Sequence, residues 1–264
     1  MSRTSGASAT PLYIGVSTKM YLGYQQSLRW LSEVRAVVDS RPALAADRDV
    51  RVFVIPSFPV LAEAGNILAG SPVLLGAQNC AWGDGPLTGE VSPGMLAELG
   101  VTLVEIGHAE RRAQFGEDSG VVARKVRAAV DAGLTPLLCI GEPGRLAPEE
   151  AADFCLEQVR SATGGDESLT PGLVLAYEPV WAIGADQPAD PGYVNAVIGR
   201  IRQGLGAACP IIYGGSAGPG LLPELAAADG LFLGRFAHDA GNLGRVLDEA
   251  LQAPAPASSS SSRS

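Results

Sequence analysis

A chain of 264 residues, 47% hydrophobic and 18% charged, carries enough apolar mass for one large buried core and too little charge for a disordered polymer. A net charge of −9, with basic residues no denser than the pairs Arg111-Arg112 and Arg124-Lys125, argues against a nucleic-acid partner, which needs clustered Lys and Arg. No apolar run approaches the roughly 20 residues that span a bilayer, and residues 1–11 lack the apolar stretch of a secretion signal, so a cytoplasmic protein with no membrane partner is expected.

In chain order, short apolar runs suited to strands fall at residues 13–16, 52–55, 73–76, 103–106, 136–140, 173–176, 211–213 and 231–233. Between them apolar residues recur at helical spacing, as at Leu28, Leu31, Val34, Val37 and Val38, or Val121, Val122, Val126 and Val130. Strands that are apolar throughout, each followed by a helix, predict a parallel sheet covered by helices. Eight such units predict an α/β fold: a single-domain (β/α)8 barrel over residues 12–252. Residues 1–11 and the Ser-rich tail 253–264 are expected to be disordered.

In such a barrel the chemistry gathers at the carboxyl ends of the strands. That rule nominates Lys19, His108, Glu178, Gly214-Gly215-Ser216 and Gly234-Arg235. The block Ala176-Tyr177-Glu178-Pro179-Val180-Trp181-Ala182-Ile183-Gly184 adds a carboxylate at a strand end beside a short segment able to fold over it, which suits a general base with a lid. Cys80, Cys139, Cys155 and Cys209 lie far apart without a Cys-x-x-Cys pair, and His108 and His238 are the only histidines, so no metal site is expected.

Six motifs then occur in order. They are Lys19-Met20; Gly76-Ala77-Gln78-Asn79 with Thr88-Gly89-Glu90; Gly107-His108-Ala109-Glu110-Arg111-Arg112; Cys139-Ile140-Gly141-Glu142; the block from Tyr177 to Gly184; and Tyr213-Gly214-Gly215-Ser216. With them the chain resembles the triosephosphate isomerase family from about Tyr13 to about Leu251. The resemblance implies a cofactor-free aldose-ketose isomerase working on a small phosphorylated sugar through an enediolate. Glu178 would be the base, His108 the group polarising the carbonyl, and Lys19 the positive charge, with Glu110 its acidic partner. Residues 179–185 would form the lid, the amides of Gly184, Ser216, Gly234 and Arg235 the phosphate cradle, and Ser17 would lie against the substrate; Cys139 would support the site from behind the reacting groups, although by residue type alone it reads as barrel packing. A homodimer built through the loop from Gln78 to Thr88 is implied as well.

Several positions depart from the pattern. Ser17 stands where the family usually has a substrate-binding asparagine, Ala109 where it has a serine, and Arg235 where it has a second glycine; the lid tip reads Ala185-Asp186-Gln187-Pro188. The first expectation is interconversion of glyceraldehyde 3-phosphate and dihydroxyacetone phosphate. The alternative is an isomerase of erythrulose phosphates, because residues 230–235, Phe53-Val54-Ile55-Pro56 and the Trp82 region resemble that subgroup. Two readings of other classes also stand. Gly214-Gly215-Ser216-Ala217-Gly218 matches a hydrolase nucleophile elbow, followed by Asp229 and His238, although only one strand follows Ser216. A barrel that binds without turnover is the other.

Overall fold

Each apolar run becomes a parallel strand in the computed structural model, which describes residues 11–46, 50–185, 187–206 and 209–253. The strands are β1 (Leu12–Ser17), β2 (Val50–Ile55), β3 (Leu74–Ala77), β4 (Leu103–Ile106), β5 (Thr135–Ile140), β6 (Val174–Tyr177), β7 (Ile211–Tyr213) and β8 (Gly230–Leu233). They pair in sequence order, and β8 pairs back to β1, so the sheet closes and has no free edge. Helices cover its outer face: α1 (Tyr24–Asp39), α2 (Ala43–Ala46), α3 (Leu61–Leu68), α4 (Pro93–Glu98), α5 (Ala109–Phe115), α6 (Ser119–Asp131), α7 (Pro148–Ala162), α8 (Pro191–Leu205) and α9 (Ala240–Gln252).

The two faces of each strand go to two cores. Tyr13, Phe53, Ile55, Leu103, Leu137, Cys139, Val174, Ala176, Ile212 and Phe232 fill the barrel interior. The alternate residues meet the helices, where α1 supplies Trp30, Leu31, Val34 and Val38. Side chains alternate with a period of two, so the step beyond each interior residue at the carboxyl end lands at the mouth. Tyr13 leads to Ser17, Leu103 to Glu105, Ala176 to Glu178, and Ile212 to Gly214. The site is therefore the top layer of the barrel's own alternation.

The predicted helix stripes hold with one shift each. Leu28 and Val37 sit at the edge of the buried face of α1, and Trp30, whose Nε1 donates to the Ala237 carbonyl at 2.9 Å, takes the centre. On α6, Val121 and Val130 are only partly covered, while Lys125 is buried and donates to Glu117 Oε1 at 2.6 Å and Asn79 Oδ1 at 2.8 Å. A buried ammonium is tolerated because both contacts compensate its lost hydration. Apart from Pro11 and Ala253, the terminal segments expected to be disordered lie outside the described residues. Among the described residues no helix is long and apolar enough to cross a membrane, and no group of three or more His, Cys, Asp or Glu could hold a metal ion.

Candidate active site

A cavity of about 940 Å³ opens over the carboxyl ends of the strands. It brings together Ser17, Lys19, His108, Glu110, Glu178, Gly184, Ser216, Gly234 and Arg235. Cys139 stays outside it, buried in the barrel interior near Glu178. It lines a small void together with Glu178, and so stands next to the carboxylate.

Glu178 follows β6 and is locked to β5 by its N–H, which donates to the Ile140 carbonyl at 2.8 Å. Two glycines make room for it: a Cβ on Gly141 would lie 1.9 Å from the Glu178 carbonyl oxygen, and one on Gly214 would lie 2.5 Å from its Cγ. The residue is 5% exposed, and its Oε2 has no hydrogen-bond partner. Burial, reinforced by the negative charge of Glu105, pushes its carboxyl up to about 8. A carboxylate so placed is a strong base poised for a proton.

His108 caps α5, and its Nδ1 accepts the Glu110 N–H at 3.1 Å. That bond fixes the tautomer, leaving the proton on Nε2, 3.5 Å from Glu178 Oε2. Burial and the nearby Lys19 charge hold the imidazole down to about 4, so it stays neutral at physiological pH. A neutral imidazole still donates its Nε2–H, and can so stabilise negative charge developing on a carbonyl oxygen.

Lys19 sits in the left-handed region at φ 47°, the one non-glycine to do so among the described residues. Its carbonyl is held by Ser57 Oγ at 2.6 Å and Gln78 Nε2 at 2.7 Å, which offset the strain. Its Nζ lies 2.5 Å from Glu110 Oε1. Burial acts to lower its pKa, but the hydrogen bond and charge of Glu110, helped by Glu178 and Glu105, outweigh it and raise it. The ammonium is therefore permanent.

Four contributors escaped the sequence analysis. Glu105, on β4, lines the cavity and accepts a hydrogen bond from Ser17 Oγ at 2.9 Å; burial pushes its carboxyl up to about 7. Its signal was a lone carboxylate in an apolar strand. Glu142 gathers Trp181 Nε1 at 2.8 Å and the hydroxyls of Tyr193 at 2.9 Å and Tyr177 at 3.2 Å, and so clamps the start of the lid to the barrel. It was quoted within a motif but given no role. Ser57, which steadies Lys19, carried no signal, and Gln78, which does the same, was quoted in a motif and as the start of the dimer loop without this role.

Around the rim, Gly184 turns at φ 70°, and Ser216 Oγ donates to the Ala185 carbonyl at 2.6 Å. The exposed Arg235 guanidinium stands 5.9 Å from the centre of the Tyr21 ring. Asp186 lies outside the described residues. Ala109, Cys139 and Glu178 line a void of about 30 Å³, near where a serine in place of Ala109 would project its hydroxyl. Arg111 pairs with Glu117 at 2.6 Å, and Arg112 Nε donates to the Gly107 carbonyl at 2.8 Å, so both brace the fold. The hydrolase elbow fails on topology. Asp229 sits at the amino end of β8, taken up by Arg202 at 2.7 Å and the Ile211 N–H at 2.8 Å, whereas Ser216 follows the carboxyl end of β7.

The triosephosphate isomerase sequence profile matches residues 12–250. The chain belongs to the triosephosphate isomerase family. It is an isomerase, and its relatives divide by substrate. An L-erythrulose-1-phosphate isomerase from Pectobacterium atrosepticum is 48% identical over 92% of this chain and 97% of its own length. A triosephosphate isomerase from Synechococcus sp. is 39% identical over 94% of this chain and 99% of its own. The crystal structure of triosephosphate isomerase from Bartonella henselae superposes with a TM-score of 0.76 at 29% identity, covering 92% of this chain and 99% of that one. Family membership explains why six short motifs and one barrel topology coincide.

Proposed function

We propose that this enzyme interconverts erythrulose phosphates, four-carbon ketose phosphates, by cofactor-free proton transfer through an enediolate. The observation that carries the chemistry is the sealed Glu178 carboxylate, its Oε2 unpartnered and 3.5 Å from His108 Nε2. Glu178 takes the proton from the carbon next to the carbonyl, and His108 Nε2–H supports the oxygen as negative charge develops on it. Lys19 stabilises the enediolate, and the proton returns to the neighbouring carbon, moving the carbonyl by one position. The step is redox-neutral within one molecule, so it asks for no electron acceptor. The amides of Gly184, Ser216, Gly234 and Arg235 hold the phosphate, which keeps the enediolate in plane and the leaving group bound.

Triose phosphate was the first expectation from sequence. The four-carbon alternative is favoured by the 48% relative, against 39% for the triosephosphate isomerase. Arg235 at the cradle supports the same choice, since a guanidinium there reshapes the wall of an anion site. The specificity constants for L-erythrulose 1-phosphate and glyceraldehyde 3-phosphate test it. A preference of at least about 100-fold for the four-carbon sugar is expected, in line with a site that reads a substrate hydroxyl. A preference for the triose sinks the proposal, and absence of exchange on either sugar restores the non-catalytic barrel.

We further infer a homodimer. The base of the loop from Gln78 to Thr88 is buried, with Gln78 tied to Lys19, while most of its outer part is open to solvent. Met20, beside Lys19, is 90% exposed, an apolar surface suited to a partner's loop. Sedimentation at micromolar concentration should give a dimer mass; a monomer there contradicts the inference.

A further inference from the structure

We propose that Glu105, steadied by Ser17, selects the four-carbon over the three-carbon sugar phosphate by hydrogen-bonding the substrate's terminal hydroxymethyl group. The assignment rests on the erythrulose-phosphate reading of the same site and deepens it.

The two sugars share the phosphate end and the pair of carbons that exchange the carbonyl. They differ at one place: compared as ketoses with the carbonyl next to the phosphate-bearing carbon, the carbon that loses its proton carries a hydroxymethyl group in the tetrulose and a second hydrogen in the triose. The difference therefore lies at the end farthest from the phosphate. In the closed ring of eight strands β4 stands opposite β8, so a ligand gripped at Gly234 and crossing Glu178 ends against β4. Glu105 is the carboxylate that β4 sends to that end.

Its accessibility matches that of the reacting groups. Glu105 is 4% exposed, beside 4% for His108 and 5% for Glu178, so a ligand that touches the base can touch Glu105. Among the described residues the one hydrogen bond to its carboxylate comes from Ser17, which occupies Oε2 and turns that oxygen across the barrel. Oε1 faces His108 Nε2 at 4.0 Å, too far for a direct hydrogen bond and close enough for both to share a substrate oxygen system.

A structural explanation fares worse. The neighbours of Glu105 on the strand are Leu103, Val104 and Ile106, and an aliphatic residue in place of Glu105 would complete the interior layer at no cost in desolvation. Instead a carboxylate is sealed near a second one, Glu178, and burial raises the pKa of both. A sugar hydroxyl answers either protonation state, donating to the carboxylate or accepting from the acid. A buried group built to meet a hydroxyl rejects an analogue that lacks it, because the group is then left without its partner.

The test pairs a substrate change with a protein change. Specificity constants are measured for L-erythrulose 1-phosphate, for the same molecule with a methyl in place of the hydroxymethyl, and for glyceraldehyde 3-phosphate, with the wild type, Glu105→Gln and Glu105→Leu. The wild type should favour hydroxymethyl over methyl by about 100-fold, and Glu105→Leu should erase that ratio, with Glu105→Gln between. Glu105→Gln keeps the volume and reads the ratio if Glu105→Leu does not fold. If the variants lose activity equally on both four-carbon substrates, the ratio survives, Glu105 acts only through Glu178, and the assignment falls. A wild type blind to the hydroxyl but active on both four-carbon substrates overturns the assignment alone. A wild type that acts only on the triose overturns the proposed function and the assignment together.

Discussion

The two sides of the barrel mouth are built on different principles. Toward β4 and β6 the working groups are side chains, nearly sealed: Glu178, His108 and Glu105 are 5%, 4% and 4% exposed. Toward β7 and β8 the proposed phosphate grip relies on backbone amides and an exposed rim, with Gly234 and Arg235 both open to water. Proton transfer needs groups whose charge is set by burial, whereas a phosphate dianion must arrive with its water and leave again. The sealed side should therefore govern kcat and the open side KM.

The largest effect expected is on the sealed side. Glu178→Gln removes the base but keeps its volume, so kcat should fall by on the order of 1,000-fold to 10,000-fold with little change in KM. The same variant should be the more stable protein at alkaline pH. A carboxyl whose folded pKa is raised favours folding while protonated, and that stability is lost as pH rises through about 8. A neutral amide loses nothing there, so the melting temperature of the variant should exceed the wild type's at pH 8.5 and not at pH 5. A fall in kcat below about tenfold would place the base elsewhere and dissolve the comparison.

The open side should respond differently. Arg235→Gly removes a rim guanidinium of the proposed cradle, an exposed group beside Tyr21. Losing a charge-assisted contact at an exposed position should raise KM about tenfold and weaken inhibition by inorganic phosphate in parallel, while kcat stays within about threefold. A kcat loss as large as the KM rise would mean that the rim also aligns the reacting carbons. The division between the two sides would then be false.

The same division explains what could be read from sequence. Strands apolar throughout announce a parallel barrel, and its geometry turns strand ends into a list, so Lys19, His108, Glu178, Ser216, Gly234 and Arg235, which line one cavity, could all be nominated. Glu105 escaped because it lies within a strand rather than at its end, where an apolar run hides a single inward carboxylate. Glu142 escaped because its role exists only once Trp181 and Tyr193, far from it in sequence, converge on it. The strain at Lys19 left no mark, since a lysine at φ 47° looks like any other lysine. Substrate choice was the hardest part, because under the proposed mechanism both sugars call on the same base, imidazole and ammonium.

The smallest effect sharpens the sealed side from within. In the free enzyme the acid limb of kcat/KM should lie near 8, because Glu178 must be ionised to act and burial keeps its pKa there. Ala109 borders the void of about 30 Å³ beside Glu178 and Cys139, room enough for one hydroxyl. Ala109→Ser places a donor next to a carboxylate whose Oε2 has none. A hydrogen bond to the ionised form stabilises that form, so the pKa of Glu178 should drop and the limb should move to lower pH. One neutral donor contributes about 0.5–1.5 kcal/mol, which corresponds to a shift of roughly half a unit to one unit. The base becomes weaker as it becomes more ionised, so the plateau rate should fall by less than about threefold while activity at pH 6 rises. A limb that stays in place would show that the introduced hydroxyl turns away from Glu178. The base would then owe its high pKa to burial and to Glu105, and Glu105→Gln would be the substitution that moves the limb.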